Sequence, residues 1–256
     1  MVGGIGMRTA SPTRWNEGFF QPLERPALAW LAAHMPRSVT PDHLTGIGFT
    51  GAILAFIGYA ASGSDPAFLW VATLGLVVNW FGDSLDGNVA RFREIERPRY
   101  GYYLDNSIDC IAQLLLTIGI GLSGYVRFDL CLLALVAYLM VSILSFIRAS
   151  VAGVFQISYA AVGPTEVRVG FVALNALLII FPPQSLDWGL PLSYPNLWSL
   201  AWSSAMLLTF LLTMVMQVRQ LAIEEPPREG ATPLPQHSEW EPDGLRAVTT
   251  RNSRRG

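Results

Sequence analysis

Residues 83–91 read DSLDGNVAR, and after nine further residues positions 101–109 read GYYLDNSID. These two segments carry four aspartates and lie between long apolar stretches. A carboxylate within a membrane segment costs about 2.5–3.5 kcal/mol on insertion scales, so four of them require a functional reason. On helices, Asp83 shares a face with Asp86, and Asp105 shares a face with Asp109. Two facing helices with paired carboxylates can hold divalent metal ions in a bundle core.

The composition indicates a membrane protein. Of the 256 residues, 52% are hydrophobic and only 14% are charged, and the mean hydropathy is +0.38. Soluble domains carry about 25% charged residues. We therefore predict an all-α, polytopic membrane helical bundle with six transmembrane helices. The segments long and apolar enough to span are 43–62, 66–84, 102–122, 129–147, 167–183 and 195–217.

Outside the six spans, the chain divides by composition. Residues 1–11 are predicted to be a flexible N-terminus, and residues 12–40 an interfacial amphipathic helix followed by a turn. Pro22 and Pro26 indicate a break within that helix, and a poorly ordered arm is the alternative. Residues 41–220 would form the six-span domain. Residues 221–256 are rich in Pro, Glu, Arg, Ser and Thr, which is typical of a disordered tail.

The distribution of positive charge predicts the orientation. All 17 basic residues are arginines, and every one except Arg127 falls on the same side of the six predicted spans. By the positive-inside rule, both termini and the acidic motif lie in the cytoplasm. We expect a multi-pass protein of a bacterial inner membrane.

Small and basic residues accompany the acidic pairs. Gly87 and Ala90 share the helix face of the first pair, and Gly101 lies one turn before the second pair. Small residues allow a ligand or another backbone to approach closely. Arg91 follows where the chain reaches water, and arginine suits bidentate contact with phosphate. The pattern thus combines carboxylates that can hold metal, small residues that leave space for a ligand, and an arginine suited to phosphate. Together these features indicate a diphosphate substrate.

This pattern resembles the signature of the CDP-alcohol phosphatidyltransferases, Asp-x-x-Asp-Gly-x-x-Ala-Arg followed by Gly-x-x-x-Asp-x-x-x-Asp. Every defining residue of that signature is present. With the six spans and the N-terminal helix, the likeness extends over roughly residues 12–220. One departure is that the connecting stretch 92–100 holds nine residues where the family usually has eight. A second is that residues 98–100 read Pro-Arg-Tyr where some relatives have a serine or threonine that contacts the nucleotide.

The resemblance implies metal-dependent transfer of a substituted phosphate group from a CDP-alcohol to an acceptor hydroxyl, with release of CMP, in phospholipid biosynthesis. Two divalent cations, Mg²⁺ or Mn²⁺, would bridge the diphosphate. Asp109 would also be the general base that takes the proton of the acceptor hydroxyl. The implied metal ligands are Asp83, Asp86, Asp105 and Asp109.

The resemblance also implies the nucleotide contacts. Gly87 would allow close approach of the nucleotide, and Arg91 would contribute charge. The segment that begins with Thr40 and Pro41 resembles a family segment that contacts the nucleotide. A plain helix cap is the equally weighted alternative for Thr40 and Pro41.

The acceptor is less well defined. Arg148 and Arg168 flank the connection between the fourth and fifth spans, on the motif's side, and would suit a phosphorylated acceptor. Ordinary inside-positive charge explains them equally well. Thr165-Glu166 resembles a segment of choline and ethanolamine phosphotransferases, although a helix cap is the simpler explanation. Those enzymes usually carry histidine where this chain has Asn106. The leading donor is therefore CDP-diacylglycerol, and the alternative is a CDP-linked polar alcohol with diacylglycerol as acceptor.

Two remoter functions remain open. Paired intramembrane carboxylates also occur in cation transporters. Intramembrane prenyltransferases bind Mg-diphosphate through Asp-rich motifs, but the Asp83-x-x-Asp86 spacing and six spans do not suit them. The expected partners are the CDP-alcohol donor, the hydroxyl acceptor and the lipid bilayer. The resemblance also implies a homodimer, because members of the family typically dimerise. We expect no nucleic acid partner.

Overall fold

The computed structural model describes residues 13–15, 19–152, 154–156, 163–183, 186–187 and 191–226. Seven helices account for most of these residues. They are α1 (Gln21–His34), α2 (Pro41–Ser62), α3 (Phe68–Phe92), α4 (Pro98–Leu122), α5 (Phe128–Ala152), α6 (Pro164–Ile180) and α7 (Tyr194–Glu224). Two short strand pairs complete the described elements. The parallel pair is β1 (Thr13–Trp15) with β2 (Val154–Gln156), and the antiparallel pair is β3 (Leu186–Asp187) with β4 (Pro191–Leu192).

The predicted all-helical class is confirmed, and each of the six predicted segments corresponds to one helix, α2 to α7. Within the described part of the chain, four of them are long and apolar enough to cross a membrane, namely α2, α3, α5 and α7. Helix α6 has 17 residues, slightly fewer than the ~20 that a membrane span needs. Helix α4 carries Asp105 and Asp109 in its first half. These apolar helices fit an integral membrane protein.

The C-terminal end of the helical region lies beyond the predicted boundary. Helix α7 remains helical through Glu224, past the predicted start of the tail at residue 221. Pro226 follows, and proline cannot continue a helix.

The described residues up to Met214 form one compact unit, and those from Val215 form a second. The packing and the site described below lie in the first unit. The predicted flexible N-terminus (1–11) and the predicted tail beyond 226 lie outside the described residues.

Helix α1 begins at Gln21, later than the predicted residue 12, and residues 13–15 form β1 instead. The helix continues through Pro26, so the predicted break at that proline is wrong. Pro22 lies in the first turn, where a backbone N–H has no partner within the helix in any case. Pro26 lies inside the helix and costs one backbone hydrogen bond without ending it. Leu28 and Ala32 are buried against α2 and α3. Tertiary packing on this face therefore offsets the lost hydrogen bond.

Helices α2 and α3 pack in direct backbone contact. A Cβ atom added to Gly51 would overlap the backbone of Asn79, and one added to Gly82 would overlap the backbone of Gly48. The side-chain amide of Asn79 donates a hydrogen bond of 3.0 Å to the carbonyl oxygen of Gly48. Glycine removes the side chains that would otherwise separate two membrane helices. This contact fixes the rotation of α3, the helix that carries Asp83.

A buried polar cluster fixes α6 against this helix pair. Asn175 on α6 is completely buried. It accepts a hydrogen bond of 2.9 Å from the Tyr59 hydroxyl on α2, and its amide contacts the Thr73 hydroxyl on α3 at 3.0 Å. Apolar side chains from the same three helices surround it. A buried amide with these partners specifies one register between helices.

The close contact predicts a contrast between two glycines of α2. Gly51→Ala should lower the stability of the purified protein by about 1–3 kcal/mol, because the added methyl group overlaps backbone that cannot move aside cheaply. Gly46→Ala is the matched control, since nothing lies within 4 Å of a Cβ at that position. Thermal unfolding in detergent, followed by tryptophan fluorescence, measures both. Equal melting temperatures for the two variants would contradict the backbone contact.

Candidate functional site

A cavity of about 660 Å³ opens between the helices. Its volume lies within the ~300–1,000 Å³ typical of small-molecule sites. Side chains from all seven helices line it. Of the residues predicted from sequence to form a site, it is lined by Asp83, Asp86, Gly87, Arg91, Asp105, Asp109 and Arg168.

Three of the four predicted acids converge in this cavity. Asp83 on α3 and Asp105 and Asp109 on α4 each place one carboxylate oxygen within 4.8 Å of the other two. All three side chains are partly buried. Carboxylates this close together repel one another unless positive charge lies between or beside them. The residues therefore fit a hard divalent cation such as Mg²⁺ or Mn²⁺, which prefers oxygen ligands.

The fourth acid lies outside this three-residue cluster. Asp86 lines the same cavity one turn further along α3. Its carboxylate accepts a hydrogen bond of 2.7 Å from the Thr45 hydroxyl on α2. Sequence analysis did not single out Thr45, because one threonine in an apolar helix has no distinguishing pattern. The metal-binding role of Asp86 stays a prediction.

Arg168 lies against the acid cluster rather than at the mouth of the cavity. Its guanidinium donates to Asp83 Oδ2 at 2.6 Å and to Asn79 Oδ1 at 3.0 Å. Its side chain is only 15% exposed, and that of Asp83 is 22% exposed. The arginine thus supplies positive charge to a candidate metal ligand. These contacts use two of the five N–H donors of a guanidinium, and phosphate binding by Arg168 stays a prediction.

Gly87 and Arg91 lie together on the cavity wall. Arg91 Nη2 donates a hydrogen bond of 3.2 Å to Asn88 Oδ1. This places Arg91 Nη1 at 3.3 Å from the position that a Cβ of residue 87 would occupy. Glycine therefore makes room for the guanidinium of Arg91 beside the helix. The predicted nucleotide contacts of both residues are not tested by this geometry.

The remaining predicted residues lie elsewhere among the described residues. Thr40 caps α2: its hydroxyl accepts from the backbone N–H of His43 at 3.2 Å, and its own N–H contacts His43 Nδ1 at 3.3 Å. Pro41 is the first residue of α2. Arg148 lies on α5, three positions after Ser145, which lines the cavity. Thr40, Pro41 and Arg148 do not themselves appear among the described residues that line it.

One acid in the cavity was missed by sequence analysis. Glu24 on α1 accepts hydrogen bonds from Trp80 Nε1 at 2.7 Å and from Thr165 Oγ1 at 3.1 Å. A sequence signal for it did exist. Glu24 lies on the same helix face as Leu28 and Ala32, which are buried. An acid on the same helix face as two buried apolar residues is expected to form hydrogen bonds inside the protein.

Comparison with known proteins defines the family. The family model for CDP-alcohol phosphatidyltransferase matches residues 38–215, more than two thirds of the chain. The chain therefore belongs to the CDP-alcohol phosphatidyltransferase family, as the motif predicted.

Two archaeal proteins show sequence similarity. An archaetidylinositol phosphate synthase of Pyrococcus horikoshii is 36% identical over 135 residues, which cover 52% of this chain and 65% of that protein. An archaetidylinositol phosphate synthase of Methanothermobacter thermautotrophicus is 35% identical over 108 residues, which cover 42% and 51%. The chain thus spans between half and two thirds of the length of these relatives.

A solved structure was also compared. It is the crystal structure of Mycobacterium tuberculosis phosphatidylinositol phosphate synthase (PgsA1) with CDP-DAG bound. The TM-score is 0.48 and the sequence identity is 20%, over 77% of this chain and 92% of that chain.

The ion pair at the acid cluster predicts a metal-dependent stability effect. Arg168→Gln leaves Asp83 without its cationic partner, so stability without metal should fall by on the order of 3 kcal/mol. Added Mg²⁺ should then raise the melting temperature of this variant more than that of the wild type, because the cation replaces the lost charge. Thermal unfolding in EDTA and in Mg²⁺ measures both quantities.

The control is a second arginine–aspartate pair in the same protein. Arg97 pairs with Asp42, and these side chains are 53% and 44% exposed. Exposed pairs contribute about 0–1 kcal/mol, so Arg97→Gln should change little in either condition. If Arg168→Gln behaves like Arg97→Gln, the arginine does not neutralise the acid cluster.

Proposed function

We propose that this protein transfers a substituted phosphate group from a CDP-alcohol to an acceptor hydroxyl and releases CMP. One observation carries the proposal: three of the four acids of the family signature converge, with an arginine, in a cavity between apolar helices. Such a cavity brings a charged diphosphate and an alcohol together at the membrane. The protein would thus be a transferase of phospholipid biosynthesis.

The residues of the cavity suggest how the reaction proceeds. Asp83, Asp105 and Asp109 would hold divalent cation, with Asp86 beside them. When bound, divalent cations neutralise charge on the diphosphate and on the departing CMP. Asp109 accepts the proton of the acceptor hydroxyl as that oxygen attacks the phosphorus bonded to the transferred alcohol. The bond from this phosphorus to the bridging oxygen breaks, and that oxygen leaves with CMP. Arg91 contributes charge to nucleotide binding.

A lipid-linked donor is supported by a second cavity. An apolar cavity of about 320 Å³ adjoins the first. The two share Tyr138, Phe171 and Trp202 in their walls, among other residues. An apolar chain can therefore extend from the polar site into a hydrophobic one. We accordingly assign CDP-diacylglycerol as the donor, and the alternative is a CDP-linked polar alcohol with diacylglycerol as acceptor.

A phosphorylated acceptor is supported by two observations. Arg168 lies in the cavity with further N–H donors beyond those that contact α3. The related archaeal proteins are named as archaetidylinositol phosphate synthases, whose product joins a lipid to inositol phosphate. We propose an acceptor of this class, with Arg148 as a further phosphate ligand. The nucleotide would approach Thr40 and Pro41 at the start of α2.

The membrane arrangement is part of the same proposal. Helices α2 to α7 would be six transmembrane spans, with α1 lying in the interface. Its large exposed apolar residues, Leu23 and Trp30, support that placement. The cavity and both termini would face the cytoplasm of a bacterial inner membrane, and the protein would be a homodimer.

The direct test is CMP release from labelled CDP-diacylglycerol by the purified protein, with a panel of phosphorylated and unphosphorylated acceptors. Activity should require Mg²⁺ or Mn²⁺ and should disappear in EDTA. Lipid analysis identifies the product and so separates the two donors. Release of CMP only from a CDP-linked polar alcohol with diacylglycerol would support the alternative. Full activity in excess chelator would exclude a metal-dependent mechanism.

The proton transfer predicts a specific kinetic defect. Asp109→Asn keeps the size of the side chain and a carbonyl oxygen but removes the base. General-base catalysis contributes about 10²–10⁴-fold, so kcat should fall by that order. Nucleotide binding, measured separately by CDP competition, should persist. A folded Asp109→Asn protein that turns over at the wild-type rate would show that the proton leaves by another route.

The orientation is testable with introduced cysteines. Ser64 lies in the connection between α2 and α3, and Glu96 lies between α3 and α4, and both are exposed. In a background without Cys110 and Cys131, single cysteines at these positions should react with an impermeant reagent from opposite sides of the membrane. We expect Glu96→Cys to react only from the cytoplasmic side. Reaction of both from one side would rule out the six-span arrangement.

A further inference from the structure

The carboxylate of Glu24 joins three helices at the edge of the cavity. Glu24 lies on α1. It accepts from Trp80 Nε1 at 2.7 Å and from Ser84 Oγ at 3.3 Å, both on α3. It also accepts from Thr165 Oγ1 on α6, at 3.1 Å to each carboxylate oxygen. A carboxylate turned inward from an interfacial helix is costly unless it is hydrogen-bonded in this way.

These donors flank the residues of the proposed chemistry. Ser84 is adjacent to Asp83 in the chain, and Trp80 lies one helical turn before it. Thr165 lies one turn before Arg168 on α6. The bridge through Glu24 therefore connects the same two helices as the ion pair between Asp83 and Arg168, one turn away from it.

The two connections differ in whether a ligand of the proposed reaction competes for their residues. Asp83 is a candidate metal ligand and Arg168 a candidate phosphate ligand, so their mutual contact weakens when either binds a ligand. Glu24 has no such second role in the proposed reaction. Its hydrogen bonds can hold α3 and α6 at a constant separation while the ion pair changes partners.

We propose that Glu24 is a positioning residue that sets the separation of α3 and α6 at the level of the acid cluster. The interfacial helix thereby becomes part of the structure that keeps Asp83 and Arg168 in register. The link to catalysis rests on the proposed function, whereas the link to helix separation does not.

A second glutamate provides a matched control. Glu166 on α6 accepts from the backbone N–H of Phe20 at 2.8 Å and from that of Gly163 at 2.8 Å. It therefore also ties α6 to the start of α1. Neither of these contacts reaches α3. Glu166→Ala should loosen α1 without changing the separation of α3 and α6.

The experiment compares three substitutions of Glu24. Gln keeps the reach of the side chain: its oxygen can accept from Trp80 and Ser84, and its NH₂ group can donate to the Thr165 hydroxyl. Asp keeps the charge but loses one methylene group of reach. Ala loses both. A positioning role predicts that Gln resembles the wild type while Asp and Ala are impaired, whereas a role of charge alone predicts that Asp is the better substitute.

The first measurement needs no activity. Spin labels at positions 77 on α3 and 169 on α6, both exposed, report the separation of these helices by pulsed EPR in a protein without native cysteines. The distance distribution should broaden in Glu24→Asp, in Glu24→Ala and in Thr165→Val, which removes only the α6 donor. It should keep its wild-type width in Glu24→Gln and Glu166→Ala. Unchanged distributions in all the Glu24 variants would overturn the proposal.

The second measurement is the affinity for Mn²⁺, followed by EPR of the free ion. Outer-shell substitutions typically lower metal affinity or activity by about 10–100-fold, so Glu24→Asp should bind Mn²⁺ roughly ten-fold more weakly than Glu24→Gln. Glu96→Gln, in an exposed loop, controls for loss of one negative charge. If the wild type binds no Mn²⁺, the proposed function fails and the distance measurement still decides the role of Glu24. If Asp matches the wild type and Gln does not, Glu24 acts through its charge and the positioning role is excluded.

Discussion

The backbone contact between α2 and α3 is the constraint on which the site depends. Gly51 and Gly82 leave no side chain between the two helices at their crossing points. In lipid, helices gain little from hydrophobic exclusion and associate through close packing and hydrogen bonds. Because this contact fixes both the rotation and the register of α3, it directs Asn79 and Asp83 into the cavity. The position of the acid cluster therefore depends on glycines that have no role in the proposed chemistry.

Electrostatic balance is the second requirement of the site. Three carboxylates within 4.8 Å of one another make a strongly negative centre inside an apolar bundle. Arg168 on the neighbouring helix α6 neutralises part of that charge, because its Nη2 atom lies 2.6 Å from Asp83 Oδ2. In the proposed function, the same arginine also meets an anionic substrate. A side chain with both roles would link the charge of the acid cluster to ligand binding.

Helix α1 has a larger structural role than its position near the start of the chain suggests. Glu24 contacts residues 60 and 141 positions away. Glu166 makes the reciprocal contact from α6 to Phe20, over 146 positions. Helix α1 is therefore part of the wall of the cavity.

Short-range patterns were sufficient to predict much of this architecture. The apolar segments located the six helices α2 to α7, and the helix period placed Asp105 and Asp109 on one face. The family signature identified six residues that line one cavity. All of these inferences depend on residues close together in the chain, where helix geometry alone relates the side chains.

The contacts between distant helices were not predictable in this way. Periodicity tells which face of a helix is polar, but not which residue of another helix lies opposite. The pairing of Arg168 with Asp83, of Thr45 with Asp86, and the three-helix contacts of Glu24 follow from packing that glycines and buried polar residues select. The same reason explains the continuity of α1 through Pro26: burial of one face outweighed a local preference that sequence reasoning took as a break.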